Sequence, residues 1–271
     1  EEGNNKNQMF TPPLLAQYAD ILSSRDIFVE RMKDSATFSE TNLPRSMVSW
    51  HHPSHPGSLH FLGNKVKYFT SPPGNLKKPS EPNMKKWDPE LIEELRKANQ
   101  NRMKELEDNS EGNTLWLFTD ATRDELRRRC GGAWALFNNP NAEGTPIMEG
   151  RVNAGKYACI FTGEAKTLLA AISAVLYADK KKFPQLENLT TLNIITDSLS
   201  TLSSTEKTTI RKMNYLEQQI CEKVSTMTTL FNTNINLGFV FSHLGVNGNE
   251  YVDVKAKEYL DEEEFDDDHL P

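Results

Sequence analysis

The sequence has little that would commit it to a membrane, to an oxidising compartment or to a hold on nucleic acid through overall charge. No apolar run approaches the length of a bilayer span and no signal peptide opens the chain, so a soluble, non-secreted protein with no membrane partner is expected. Cysteine is scarce: Cys130, Cys159 and Cys221 are odd in number, widely spaced and in no metal-binding pattern, which points to reduced thiols inside a cell rather than a disulfide framework. An excess of basic residues is also missing. With 31 Lys and Arg against 38 Asp and Glu, the formal net charge is −7, and any contact with phosphates has to be local.

What is present divides near residue 112. Ten of the 14 prolines precede it and the apolar residues there are scattered, so residues 1–112 read as an extended arm without a core of its own. Two helices are expected within the arm, one over 14–33 and a polar one over 88–107, the second capped by Asp88 with Pro89 at its first position. Between them, residues 44–86 carry seven basic side chains against one acid, interleaved with Trp50, Phe61, Tyr68 and Phe69. Lys65, Lys67, Lys77, Lys78, Lys85 and Lys86 are the candidate phosphate contacts, with the aromatics stacking on bases. The same composition suits an arm laid on a protein partner, the aromatics serving as anchors. His51, His52, His55 and His60 lack acidic or thiol ligands nearby and read as surface imidazoles.

Residues 113–260 are regular, and 261–271 form an acidic tail. Strands are expected around Thr114–Thr119, Gly131–Phe137, Ile147–Val152, Leu192–Thr196 and Ile235–Phe241. Helices are expected from Gly163, over about 208–231, and from Glu250, with Asn247-Gly248-Asn249 as a turn before the last. Two strands end on acids, Asp120 and Asp197; Glu164 and Asp253 fall near the starts of two helices, and Ser242-His243 follows the last strand. Carboxylates repel one another and converge only for a reason. A pair of Mg²⁺ ions supplies one, since Mg²⁺ prefers oxygen ligands and two such ions can activate a water and steady the leaving oxygen of a phosphodiester. His243 is then a proton shuttle or an aid to product release rather than a ligand.

Taken in order, Thr119-Asp120-Ala121-Thr122, Gly163-Glu164, Thr196-Asp197-Ser198 and Ser242-His243-Leu244-Gly245-Val246-Asn247-Gly248-Asn249-Glu250-Tyr251-Val252-Asp253 resemble the ribonuclease H domain over about residues 114–260. The nearest likeness is to the ribonuclease H modules of non-LTR retrotransposons of the trypanosomatid ingi type, through Phe239-Val240-Phe241-Ser242-His243. The resemblance implies an α/β fold, a five-stranded mixed sheet flanked by helices. It also implies endonucleolytic cleavage of the RNA strand of RNA–DNA hybrids, with Asp120, Glu164, Asp197 and Asp253 holding two Mg²⁺, for which Mn²⁺ substitutes, and His243 assisting turnover. This sequence departs from the family in having Ala121 where many relatives have Gly, Val252 where Ala is common, and a long charged first hairpin over 123–129. A second reading keeps the fold as a scaffold in a ribonucleoprotein such as a mitochondrial ribosome or its assembly intermediate, with residues 1–112 engaging the particle. The expected compartment is the mitochondrion, with the nucleus as the alternative.

Overall fold

Along Thr114–Asp124 the side chains alternate between two apolar faces, Leu115 and Leu117 on one and Trp116 and Phe118 on the other, all of them buried. A strand greasy on both faces must be covered on both. The computed structural model describes residues 65–71, 76, 86–207 and 213–262, all within the unit Pro53–Pro271, and shows that covering. We name the elements β1 (Val66–Phe69), α1 (Pro89–Asp108), β2 (Thr114–Asp124), β3 (Arg129–Phe137), β4 (Met148–Lys156), α2 (Ile160–Leu176), β5 (Thr191–Thr196), α3 (Leu199–Lys207), α4 (Tyr215–Leu230), β6 (Asn234–Phe239) and α5 (Asn247–Asp261). The sheet order is β1-β6-β5-β2-β3-β4. The first four of these run parallel, while β3 is antiparallel to β2 and β4.

One apolar cluster joins Leu192 and Ile194 of β5, Ile235 and Leu237 of β6, and the stripe Ala165, Leu168, Ile172, Val175 of α2, together with Ile220 and Val224 of α4. The other joins Trp116, Phe118 and Phe137 to Val252 and Ala256 of α5 and Leu106 of α1. Among the described residues, no helix is long and apolar enough to cross a membrane.

The mixed sheet flanked by helices is as expected, but among the described residues it has six strands rather than five. The extra strand is β1, inside the basic, aromatic stretch. It is only four residues long, Val66 and Phe69 are buried, and it pairs with β6 from Val66↔Ile235 to Phe69↔Gly238. Phe69, expected to stack on bases or anchor a partner, lies instead in the core beneath the guanidinium of Arg102, 5.7 Å from its ring centroid. Too short for a periodic signal, this strand is visible only through the partner it finds.

The helix expected over 88–107 is α1, with the Asp88 side chain accepting from Glu90 N at 3.0 Å and Pro89 first. It is not part of a coreless arm. Leu95, Ala98, Asn99, Arg102 and Leu106 recur at helical spacing and are all buried, but two of the five are polar, so the stripe does not read as apolar in the sequence. Gly238 lets Leu106 lie on β6, since a Cβ there would come within 2.7 Å of Leu106 Cδ1. The expected division at 112/113 therefore runs between two elements that share one packed unit.

Other boundaries shift by about a turn. α2 begins at Ile160, so Glu164 is its fifth residue rather than part of its first turn, and α5 begins at Asn247, absorbing the expected turn. The helix expected over 208–231 is α4 alone, started by a capping box in which Asn214 Oδ1 accepts from Glu217 N (3.1 Å) and Glu217 Oε2 from Asn214 N (2.7 Å). The helix expected over 14–33, the histidines 51, 52, 55 and 60, the lysines 77, 78 and 85, and the tail beyond 262 lie outside the described residues.

Candidate active site

Parallel pairing of β2 with β5 sets the first two acids side by side. Thr119 pairs with Thr196, so Asp120 and Asp197 each come one residue later on neighbouring strands. A tight turn holds Asp197 at the strand end, with Ser198 N donating to Thr196 Oγ1 (3.1 Å) and Leu199 N to Asp197 O (3.2 Å). The third acid arrives on α2. Gly132 and Gly163 let that helix approach the sheet: a Cβ on Gly132 would come within 1.9 Å of Thr167 Oγ1 and 2.8 Å of Asp120 O, and one on Gly163 within 2.6 Å of Cys130 Sγ. As a result one carboxylate oxygen from each of Asp120, Glu164 and Asp197 falls within 4.8 Å of the others. Among the described residues this is the one such group of His, Cys, Asp or Glu.

Asp120 and Glu164 are buried, and Asp197 is partly so. Ala121 N donates to Asp120 Oδ1 (2.7 Å) and Glu164 Oε1 (3.3 Å), whereas the buried Glu164 Oε2 has no hydrogen-bond partner. Burial, and then the charges of Asp197 and Asp253, push the Asp120 carboxyl up to about 8. Burial, and then Asp120 and Asp197, likewise raise Glu164 well above the ordinary carboxyl range. A cluster that resists ionisation when empty is one that a cation would stabilise. The donor set fits: three oxygen ligands and no imidazole or thiol favour a hard divalent ion such as Mg²⁺ or Mn²⁺ over Zn²⁺, and an orphaned buried carboxylate oxygen is the atom such an ion satisfies.

Asp253 lines the same open cleft of about 640 Å³ without belonging to the triad. Its Oδ2 takes Lys257 Nζ at 2.6 Å, one helical turn on, and lies 3.6 Å from His243 Nδ1. His243 is half exposed at the cleft rim. The four acids and the imidazole named from the sequence thus share one cleft, three as a tight triad and two as a pair beside it.

Of the candidate lysines, the described Lys65, Lys67 and Lys86 are not among the residues that line this cleft. Lys65 Nζ donates to Asn232 Oδ1 and Lys67 Nζ to Asn109 Oδ1 (2.9 Å), and Lys67 pairs in register with Asn236 near the start of β6. Asp120 and Asp197 lie at the opposite end, just past the last β2–β5 pair, Thr119↔Thr196. Lys86 precedes the buried Trp87 at the foot of α1.

Three contributors escape a reading of the sequence. Lys257 was detectable, because i,i+4 from an acid on a helix is a pairing distance. The amide of Ala121 was not, since any residue supplies one. Asn99 was not either: it lies on α1, outside the motifs, yet bonds the loop after β6.

No family model and no curated protein sequence matches this chain. Solved structures similar to it include RNase H1 from the halophilic archaeon Halobacterium salinarum (19% identity, 55% of this chain and 98% of that one, TM-score 0.39). Another is the N-terminal RNase H domain of a Mycobacterium tuberculosis protein (16%, 55% and 94%, 0.39). A third is LC11-RNase H1, in complex with an RNA/DNA hybrid (11%, 54% and 99%, 0.38).

Proposed function

We propose that this chain is a divalent-metal-dependent nuclease that hydrolyses the RNA strand of RNA–DNA hybrids. The observation that carries this reading is the triad: three converging carboxylates, two of them buried, with Glu164 Oε2 left without a partner. The ribonuclease H resemblance of the four motifs, including the likeness to ingi-type modules, supplies the substrate class.

Asp120, Glu164 and Asp197 would hold the metal, with Asp253 completing the set on the side of His243. Bound there, Mg²⁺ would lower the pKa of a water and stabilise charge on the phosphate. The residues of the chain do the rest. Ala121 N fixes the orientation of Asp120 and Glu164 through its two bonds. Asp253 orients the imidazole of His243 through Nδ1, leaving Nε2 to exchange a proton with solvent or the leaving group. The open cleft admits a duplex backbone rather than enclosing a small molecule.

The test is direct. Full-length protein with Mg²⁺ or Mn²⁺ should cut the labelled RNA of a hybrid into shorter fragments, chelator should stop it, and duplex DNA should stay intact. Failure to cut either hybrid or double-stranded RNA, by folded protein supplied with metal, would leave the scaffold reading instead.

A further inference from the structure

We infer that Asn99, on α1, is a positioning residue for His243. The inference rests on the nuclease reading of the cleft, and concerns how one rim of that cleft is held. Asn99 is 2% exposed, and its amide is fully used. Oδ1 accepts from Phe241 N (2.8 Å), while Nδ2 donates to Phe241 O (2.9 Å) and Leu244 O (3.2 Å). One side chain therefore grips the backbone on both sides of Ser242-His243.

The grip matters because that loop is bent against its preference. His243 has φ +58° and Gly245 φ +82°. The left-handed region is open to glycine, but a histidine held there costs about 1 kcal/mol or more and stays only where surrounding contacts over-determine it. The other anchors lie at the ends of the loop: Val240 N bonds Thr196 O (3.1 Å) and Gly245 N bonds Glu250 Oε1 (2.9 Å). Asn99 reaches between these anchors, bonding the backbone at Phe241 and at Leu244 on either side of Ser242-His243. Without it, the Phe241 N–H, the Phe241 carbonyl and the Leu244 carbonyl lose buried partners. The backbone then turns to satisfy them, carrying His243 away from Asp253.

The test uses the full chain in two backgrounds. Asn99→Ala should lower kcat on saturating hybrid about 10-fold when His243 is present, with KM little changed, and by less than about 2-fold on top of His243→Ala, because an effect exerted through His243 disappears once His243 is gone. Equal losses in both backgrounds would overturn the proposal. A second readout needs neither metal nor turnover: the ring resonance of His243 in metal-free protein, identified by its loss in His243→Ala, should move in Asn99→Ala. An unmoved resonance overturns the positioning role whatever the activity. A moved resonance in a protein that cuts nothing keeps that role and defeats only the nuclease reading. Should Asn99→Ala not fold, Asn99→Asp serves, since it keeps the volume and the acceptor for Phe241 N while losing the amide donors.

Discussion

Asp120→Asn is expected to lower metal-dependent cleavage by about 1,000-fold or more and, in the absence of metal, to make the protein more stable by about 1–3 kcal/mol at pH 8. The two effects have one origin. Asn keeps the shape and can still accept from Ala121 N, but it removes a charge from a buried group that already holds Glu164 and faces Asp197 and Asp253. The folded protein raises the Asp120 carboxyl from 3.8 to about 8, so the native state binds its proton more tightly than the unfolded chain does. Stability from this group is therefore complete below about pH 4, declines as the pH rises through the interval up to about 8, and is level above it. The advantage of Asp120→Asn should follow the same course, small at pH 4 and largest above pH 8. Adding Mn²⁺ should stabilise the wild type and not the variant. Thermal melts across that range, with and without metal, check both signs, and a variant that gains nothing at pH 8 would mean that the triad is not strained when empty.

Cutting the chain at 113 should cost about 5 kcal/mol or more and leave a fragment that no longer melts cooperatively as the full-length protein does. The cut removes β1 and α1, and with them Val66, Phe69, Trp87, Leu95, Ala98 and Leu106, all buried. At roughly 1.5–3 kcal/mol for each large apolar side chain, the loss rivals the 5–15 kcal/mol of a whole domain. It also bares β6 as an unpaired edge and strips the loop after it of the Asn99 bonds. Calorimetry on the cut and the full-length chains decides the point; a stable 113–262 would show that β1 and α1 add little.

The site was easier to read than the fold's edges. Asp197 directly follows β5, as its continuous apolar run announces, whereas β2 runs four residues past Asp120 to Asp124, so the end of the β2–β5 pairing at Thr119↔Thr196, not the end of a strand, sets Asp120 beside Asp197. Glu164 and Asp253 are one turn further into their helices than expected, because α2 starts without a capping side chain at Cys159 and α5 starts at Asn247 through residues typical of turns. β1 and α1 were hidden for opposite reasons: four residues are too few for a period, and a buried stripe containing Asn99 and Arg102 looks like a solvated face. Arg102 sits over Phe69 and bonds Ser71 O and Glu105 Oε2, so its burial depends on the strand that was itself unseen. Lys65 and Lys67, candidate phosphate contacts in the sequence, bond Asn232 and Asn109 at the far end of the sheet, partners that only the fold brings to them.

The pairing of β1 with β6 joins the first described strand to the last, and that connection sets an order in time. During synthesis Val66 and Phe69 leave the ribosome long before Ile235 and Gly238 exist to receive them, and α1 waits for the same strand with Leu106 uncovered. Closing so long a loop is entropically slow, so the central β2–β5 pair and the β2–β3 hairpin form first and the N-terminal pieces dock as a late step. In pulsed hydrogen exchange during refolding, amides of β2 and β3 should be protected before those of α1, and protection of α1 in the earliest phase would refute this order. Until that docking the Asn99 grip is absent, and the nascent chain holds its three acids together while the loop that carries His243 is still unset.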